Sequence, residues 1–200
     1  MQAARGPGMT AALVPNLAIP RNCTFAHDDW FILARHWYPI AFAREVGQRP
    51  VGTKLLDQPL VIYRADDELV VAPDICPHRG VPLSMGKQVP SGVECAYHGL
   101  RFGPAGQCTH VPAHPSRDIP ARMHLVPFPH IERYGLIWTC LDRSVECPEP
   151  GMIIDMPHWG EAGYQCVVCP SVDIHAFAGR QVEGFLDVAH FAFVHKETFG

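Results

Sequence analysis

Two short stretches, ICPHRG at residues 75–80 and ECAYHG at 94–99, constrain this chain more than any other part of it. The first sets Cys76 two residues before His78, and the second sets Cys95 three residues before His98. Two thiolates and two imidazoles could surround a tetrahedral zinc, but zinc arms rarely use a Cys-x-His spacing. A [2Fe–2S] centre with mixed ligands explains the pairing better. One iron takes both thiolates and the other both imidazoles, so each arm must supply one ligand of each kind. Gly80, Gly99 and Pro82 suit loops that turn tightly around a cluster whose sulfides attract backbone N–H donors. A zinc-stabilised β module is the alternative.

Around these arms the chain reads as short strands. PLVIYR (59–64) and LVVAPD (69–74) flank the polar ADDE, and GLRF and QCTHV flank GPAG, so each set predicts a hairpin. YGLIWTCL alternates like a half-buried strand, and Trp30, Trp37 and Trp138 are expected in the core. The expected organisation is a tail over 1–25, an all-β module over 26–142, a Pro-rich acidic linker over 143–163 and a second region over 164–200. That last region opens on the strand-like YQCVVC, whose Cys166 and Cys169 read as buried free thiols in the absence of a second CxxC.

Composition narrows the partners. Sixteen basic and 20 acidic residues leave a formal charge of −4, without the basic block or aromatic-interleaved basic stripe that nucleic acid requires. The opening MQAARGPGMTAALVPNLAIP makes a poor export signal, and no stretch is long and apolar enough to span a bilayer. The expectation is a cytoplasmic protein whose eight cysteines are free or metal-bound, with Asn22-Cys23-Thr24 a sequon only in form.

A second constellation lies in EGFLDVAHFAFVH, residues 183–195, where two carboxylates and two histidines interrupt an apolar run. Glu183, Asp187 and His190 fall at i, i+4 and i+7, so on one continuous helix they share a stripe. His195 is rotated from His190 by about 140° on an ideal helix, and both can hold one ion only if the helix ends or unwinds between them. Two imidazoles with a carboxylate form the facial triad of non-haem Fe(II) oxygenases. The intervening FAFV is expected to keep such a site dry.

With CPHRG and CAYHG followed by Glu-x3-Asp-x2-His-x4-His, the chain resembles the Rieske non-haem iron oxygenases from Trp30 to Gly200. Val81 and Tyr97 stand where respiratory Rieske proteins carry an extra cysteine pair, which sets those apart. The wording is most similar to the oxygenase subunits typified by vanillate O-demethylase and related O- and N-demethylases. The resemblance implies an α+β chain: an antiparallel β-sandwich Rieske domain followed by the start of a helix-grip-like catalytic domain. It implies a Rieske [2Fe–2S] cluster on Cys76, His78, Cys95 and His98, and mononuclear Fe(II) on His190 and His195.

By the same resemblance Asp187 bridges the cluster of one subunit and the iron of its neighbour in a homotrimer, and Glu183 supports that network or a proton path. The implied partners are an NAD(P)H-dependent reductase of flavin or ferredoxin type, O2 and a small aromatic or methylated substrate. The implied function is hydroxylation or oxidative demethylation; a Rieske electron carrier with a non-functional second domain is the alternative. In the family a carboxylate iron ligand lies far downstream of both histidines, so these 200 residues are expected to hold only the first part of the catalytic domain.

Overall fold

A computed structural model describes residues 18–145, 147–149 and 151–198. Most of the expected N-terminal tail, residues 1–17, lies outside the described residues. The chain divides into two compact units, one running to Pro157 and the other from His158.

The first unit opens with a short helix, α1 (His27–Leu33), followed by β1 (Tyr38–Phe42), β2 (Val51–Leu55), β3 (Gln58–Ala65) and β4 (Glu68–Pro73). After these come β5 (Lys87–Val89), β6 (Gly92–Glu94), β7 (Arg101–Phe102), β8 (Cys108–His110), β9 (His130–Arg133) and β10 (Leu136–Thr139). They make three antiparallel sheets, ordered β1-β10-β9, β2-β3-β4 and β5-β6-β7-β8. Both hairpins expected around ADDE and GPAG form, and YGLIWTCL supplies β10.

The middle sheet is buried on both faces, which explains why β3 and β4 read as continuous apolar runs rather than alternating ones. Val61, Tyr63, Ala65, Val70 and Ala72 face one core with Val93 and Phe102 of the β5–β8 sheet. Leu60, Ile62, Leu69 and Val71 face the opposite core with Trp30, Ala34 and Ile137. Successive side chains on a strand point to opposite faces, so one hairpin fills two cores. Each such aliphatic side chain contributes roughly 1.5–3 kcal/mol on burial.

The helix α1 is an addition to the all-β module expected over 26–142. Trp30 and Ala34 fall one helical turn apart and pack inward, and the Trp30 indole N–H donates to the Leu56 carbonyl at 2.9 Å. The Ala34 carbonyl in turn accepts from the backbone N–H groups of Leu141 and Asp142, both at 3.1 Å. Residues 151–157 also pack on this unit. Ile153 is buried with Trp37 and Trp138, and Asp155 accepts from the Tyr134 hydroxyl and from Arg133.

The second unit contains α2 (Ala178–Leu186) and α3 (Phe191–Val194). No strand forms at YQCVVC, and Cys166 and Cys169 are exposed rather than buried. A strand requires a hydrogen-bonding neighbour, and none of the three sheets includes one from this unit. All eight cysteines are unpaired, and no helix among the described residues is long and apolar enough to cross a membrane.

Tyr63 joins the middle sheet to the β5–β8 sheet, because its buried hydroxyl donates to the Gly103 carbonyl at 3.0 Å. Tyr63→Phe should lower unfolding free energy by about 1 kcal/mol, since the Gly103 carbonyl loses this buried hydroxyl and keeps only the Gly106 N–H at 3.2 Å. Urea titration of the two proteins checks this, and an unchanged midpoint would contradict it.

Candidate metal centre

The two cysteine-and-histidine arms rise from different sheets. The first lies between β4 and β5, and the second is the six-residue loop from Cys95 to Leu100 that joins β6 to β7. Despite this they close in the same way. In the first, the Gly80 N–H donates to the Cys76 carbonyl at 2.9 Å and the Cys76 N–H donates to the Val81 carbonyl at 2.8 Å. In the second, the Gly99 N–H donates to the Cys95 carbonyl at 3.1 Å and the Cys95 N–H donates to the Leu100 carbonyl at 2.8 Å. Gly80 and Gly99 sit at φ +74° and +68°, left-handed conformations that glycine adopts without steric cost.

Polar contacts that were passed over in reading the sequence secure each arm at its base. Asp74 accepts from the Ser84 backbone N–H at 2.8 Å and from its hydroxyl at 2.5 Å, which ties the two ends of the first arm. Glu94 pairs with Arg101 at 2.7 Å and Lys87 at 2.8 Å, which ties the ends of the second. The only sequence signal for either is position, since Asp74, Glu94 and Arg101 directly border the ligand loops.

The four expected ligands come together as two like pairs. Cys76 and Cys95 are buried at 2% and 3% exposure, their thiols within hydrogen-bonding reach of one another. His78 and His98 are exposed, with ring centroids 4.6 Å apart, and Tyr97 lies against His98 at 3.8 Å. Among the described residues no group of three His, Cys, Asp or Glu side chains is placed to hold a single metal ion. Like pairs are what a mixed-ligand [2Fe–2S] centre asks of a protein, thiolates on the inner iron and imidazoles on the outer. The backbone N–H groups of His78 and Arg79 point at the Cys76 sulfur, the hydrogen bonding that a ligating thiolate receives. The donor set therefore fits the cluster.

The second constellation is arranged differently from the expected stripe. The helix α2 ends at Leu186, so Glu183, Asp187 and His190 do not share one continuous helix. Asp187 is the reason. Its Oδ1 accepts from the backbone N–H groups of Ala189 and His190 at 3.0 and 3.3 Å, capping the turn that becomes α3. Its Oδ2 lies 3.3 Å from His190 Nδ1. These donors, the His190 N–H foremost, hold the Asp187 carboxyl below its ordinary range.

Glu183 pairs instead with Arg180 at 2.7 Å. The single turn of α3 separates His190 from His195 and brings their rings to 5.3 Å between centroids, with the chain leaving helical geometry at His195. The expected apolar wall is not formed by this unit: Phe193 and Val194 are 80% and 70% exposed, with little of the unit packed over them. Phe191 stands edge-on to both rings.

Residues 36–131 match the Rieske [2Fe-2S] domain, so the first unit is a Rieske domain. The chain is 32% identical over 189 residues to methylxanthine N1-demethylase of Pseudomonas putida, covering 86% of this chain and 50% of that protein. It is 36% identical over 166 residues to the oxygenase component of dicamba O-demethylase from Stenotrophomonas maltophilia, covering 80% and 47%. The solved structure of the Pseudomonas putida demethylase NdmA superposes with a TM-score of 0.74 at 34% identity, covering 86% and 53%. The chain belongs to the Rieske oxygenase family, and it spans about half the length of the relatives it matches.

Burial pushes the Cys76 thiol from 9.0 up to about 11; the His78 N–H opposes the rise and the adjoining Cys95 thiol adds to it. A thiol raised in the fold stabilises the metal-free protein below its ordinary value, and that contribution is lost as pH climbs through the folded value. The chelator-stripped chain should therefore melt at progressively lower temperature between pH 9.0 and about 11, and Cys76→Ala should flatten that decline. Parallel melting curves for the two proteins across this range would show that Cys76 does not contribute.

Proposed function

We propose that this chain acts in the terminal oxygenase component of a Rieske oxygenase system, hydroxylating or oxidatively demethylating a small aromatic or methylated substrate in the cytoplasm. The observation that carries this reading is the convergence of Cys76 with Cys95 and of His78 with His98 into like pairs, on a chain that continues into the Asp187, His190 and His195 group. An NAD(P)H-dependent reductase of flavin or ferredoxin type supplies the electrons, O2 is the co-substrate, and the working protein is a homotrimer.

When bound, the [2Fe–2S] cluster supplies one-electron storage and mononuclear Fe(II) supplies O2 activation. The chain's own residues do the rest. Cys76 and Cys95 would hold one iron, with the N–H groups of His78 and Arg79 stabilising the Cys76 thiolate. The exposed imidazoles of His78 and His98 would hold the other. In the second unit Asp187 keeps a proton on His190 Nδ1, which leaves Nε2 as the metal-binding nitrogen. His195, one turn away, offers the second imidazole. Because Asp187 accepts from the backbone as well, it fixes where the His190 ring stands as well as which tautomer it adopts. Glu183, turned toward Arg180, steadies the end of α2 that leads into this turn, its carbonyl accepting from the Asp187 N–H at 3.0 Å.

Anaerobically purified chain should carry two irons and two acid-labile sulfides with the visible spectrum of a mixed-ligand cluster, as this centre requires. Zinc without sulfide would overturn the reading. A third iron, lost in His190→Ala, would place the mononuclear site within these residues; two irons alone would place electron carriage here and leave the oxygen chemistry to further residues. In reductase-fed turnover of the protein carrying all three iron ligands, Asp187→Asn should retain both metal centres yet lower kcat by about 10–100-fold, the scale of losing a ligand's hydrogen-bond partner.

A further inference from the structure

The histidine edge of the metal centre is exposed, but its cysteine side has a surface of its own. An open groove of about 810 Å3 runs between the first arm and residues 122–127, with Cys76 in its wall beside Ile75 and Pro77. Ile75 and Val126, on its rim, are 50% and 62% exposed. Among the described residues no carboxylate lines it, whereas Arg122 and Arg143 do. Arg143 is fixed in place: it donates to the carbonyls of Pro127 and Val126 at 3.2 and 3.1 Å and stacks on Phe128 at 3.8 Å. Arg122 and the neighbouring Arg79 are exposed, and neither pairs with a carboxylate among the described residues. Outside the groove Arg35, Arg64, Arg101, Arg133 and Arg180 each pair with an acid, whereas Arg21, Arg44, Arg49 and Arg117 form no such pair among the described residues.

We propose that this groove is the docking surface for an acidic one-electron carrier protein, which delivers its electron through the Cys76 arm. The proposal rests on the Rieske reading of the arms. Electron transfer decays steeply with distance, and the groove brings a visitor within one loop's thickness of the inner iron's thiolates. Exposed apolar side chains beside the exposed guanidinium groups of Arg79 and Arg122 suit a transient redox encounter, which buries little area and relies on charge to orient the partners. The chain as a whole carries a formal charge of −4, so the cationic rim is a local exception and marks where an acidic protein is drawn in. In the transfer the carrier is oxidised by one electron and the two-iron centre is reduced by that electron, with no bond broken. Entry at the cysteine side leaves the exposed His78 and His98 edge free for onward transfer.

The test uses cluster-loaded chain and a reduced acidic [2Fe–2S] ferredoxin of plant type, with bleaching of the visible spectrum followed by stopped flow. A small neutral deazaflavin photoreductant serves as the reference. At low ionic strength Arg122→Glu should slow reduction by ferredoxin about tenfold, with the difference vanishing at high salt. Arg44→Glu, outside the groove, should not. Photoreduction and the visible spectrum should be the same in all three proteins. Ferredoxin reduction that ignores the Arg122 reversal, or that never occurs while photoreduction proceeds, overturns the docking surface and leaves the cluster assignment standing. A chain that holds no acid-labile sulfide overturns the cluster assignment and the docking surface together.

Discussion

Two loops from two different sheets must be held side by side, closely enough for the thiol of one to meet the thiol of the other. This constraint organises the first unit. It is met by the middle sheet, whose β3–β4 hairpin is buried on both faces and packs the β5–β8 sheet on one side and the α1 and β10 layer on the other. Cys76 and Cys95 belong to the same core as Val61, Tyr63 and Phe102, so the ligands are part of the packing that positions them. A change of register in β3 would exchange the contents of the two cores and move both arms.

Within that frame each arm is determined locally. The repeated closure, in which a glycine N–H returns to the cysteine carbonyl four residues before it, turns the chain through the same path twice. Asp74 with Ser84 and Glu94 with Arg101 then fix where each loop leaves its sheet. Loop shape thus depends on main-chain hydrogen bonds and two polar ties, while loop separation depends on the apolar core. The two demands fall on different residues, and the side chains between the ligands, those of Arg79 and Tyr97, are left exposed at the surface.

What the sequence made legible follows the range of the interactions involved. The arms could be read because a two-iron centre demands particular residue types within two or three positions of each other. The hairpins could be read because ADDE and GPAG are local turn signals. The helix α1 could not, since a seven-residue helix with one fully buried side chain leaves almost no periodic trace; Trp30 is held by Leu56, far along the chain. The strand expected at YQCVVC failed for the complementary reason. Alternation states a preference for a pleated, half-buried surface, and the second unit provides no such surface for it. The stripe of Glu183, Asp187 and His190 was drawn from helical spacing alone, although Asp-x-x-His is also a capping sequence. Backbone capping won at Asp187 because an aspartate oxygen competes well for the N–H groups two and three residues on.

The electrostatics of the two histidine-bearing sites run in opposite directions. At Asp187 the fold favours the charged form: the backbone N–H groups of His190 and Ala189 hold the carboxyl below its ordinary range, and its Oδ2 lies 3.3 Å from His190 Nδ1. At Cys76 burial opposes the charged form, and the N–H groups of His78 and Arg79 only partly offset this. The first unit is therefore organised in geometry for its metal but not in charge. An iron held by Cys76 would have to displace a proton from a thiol that the fold prefers neutral, so ligation there would be tied to proton release, and acid would work against it. The same burial that makes the thiolate costly would keep water from that iron. An exposed pair of thiols would ionise more readily, yet it would lack the packing that holds Cys76 and Cys95 at a common point, and that placement is what the rest of the unit is built to secure.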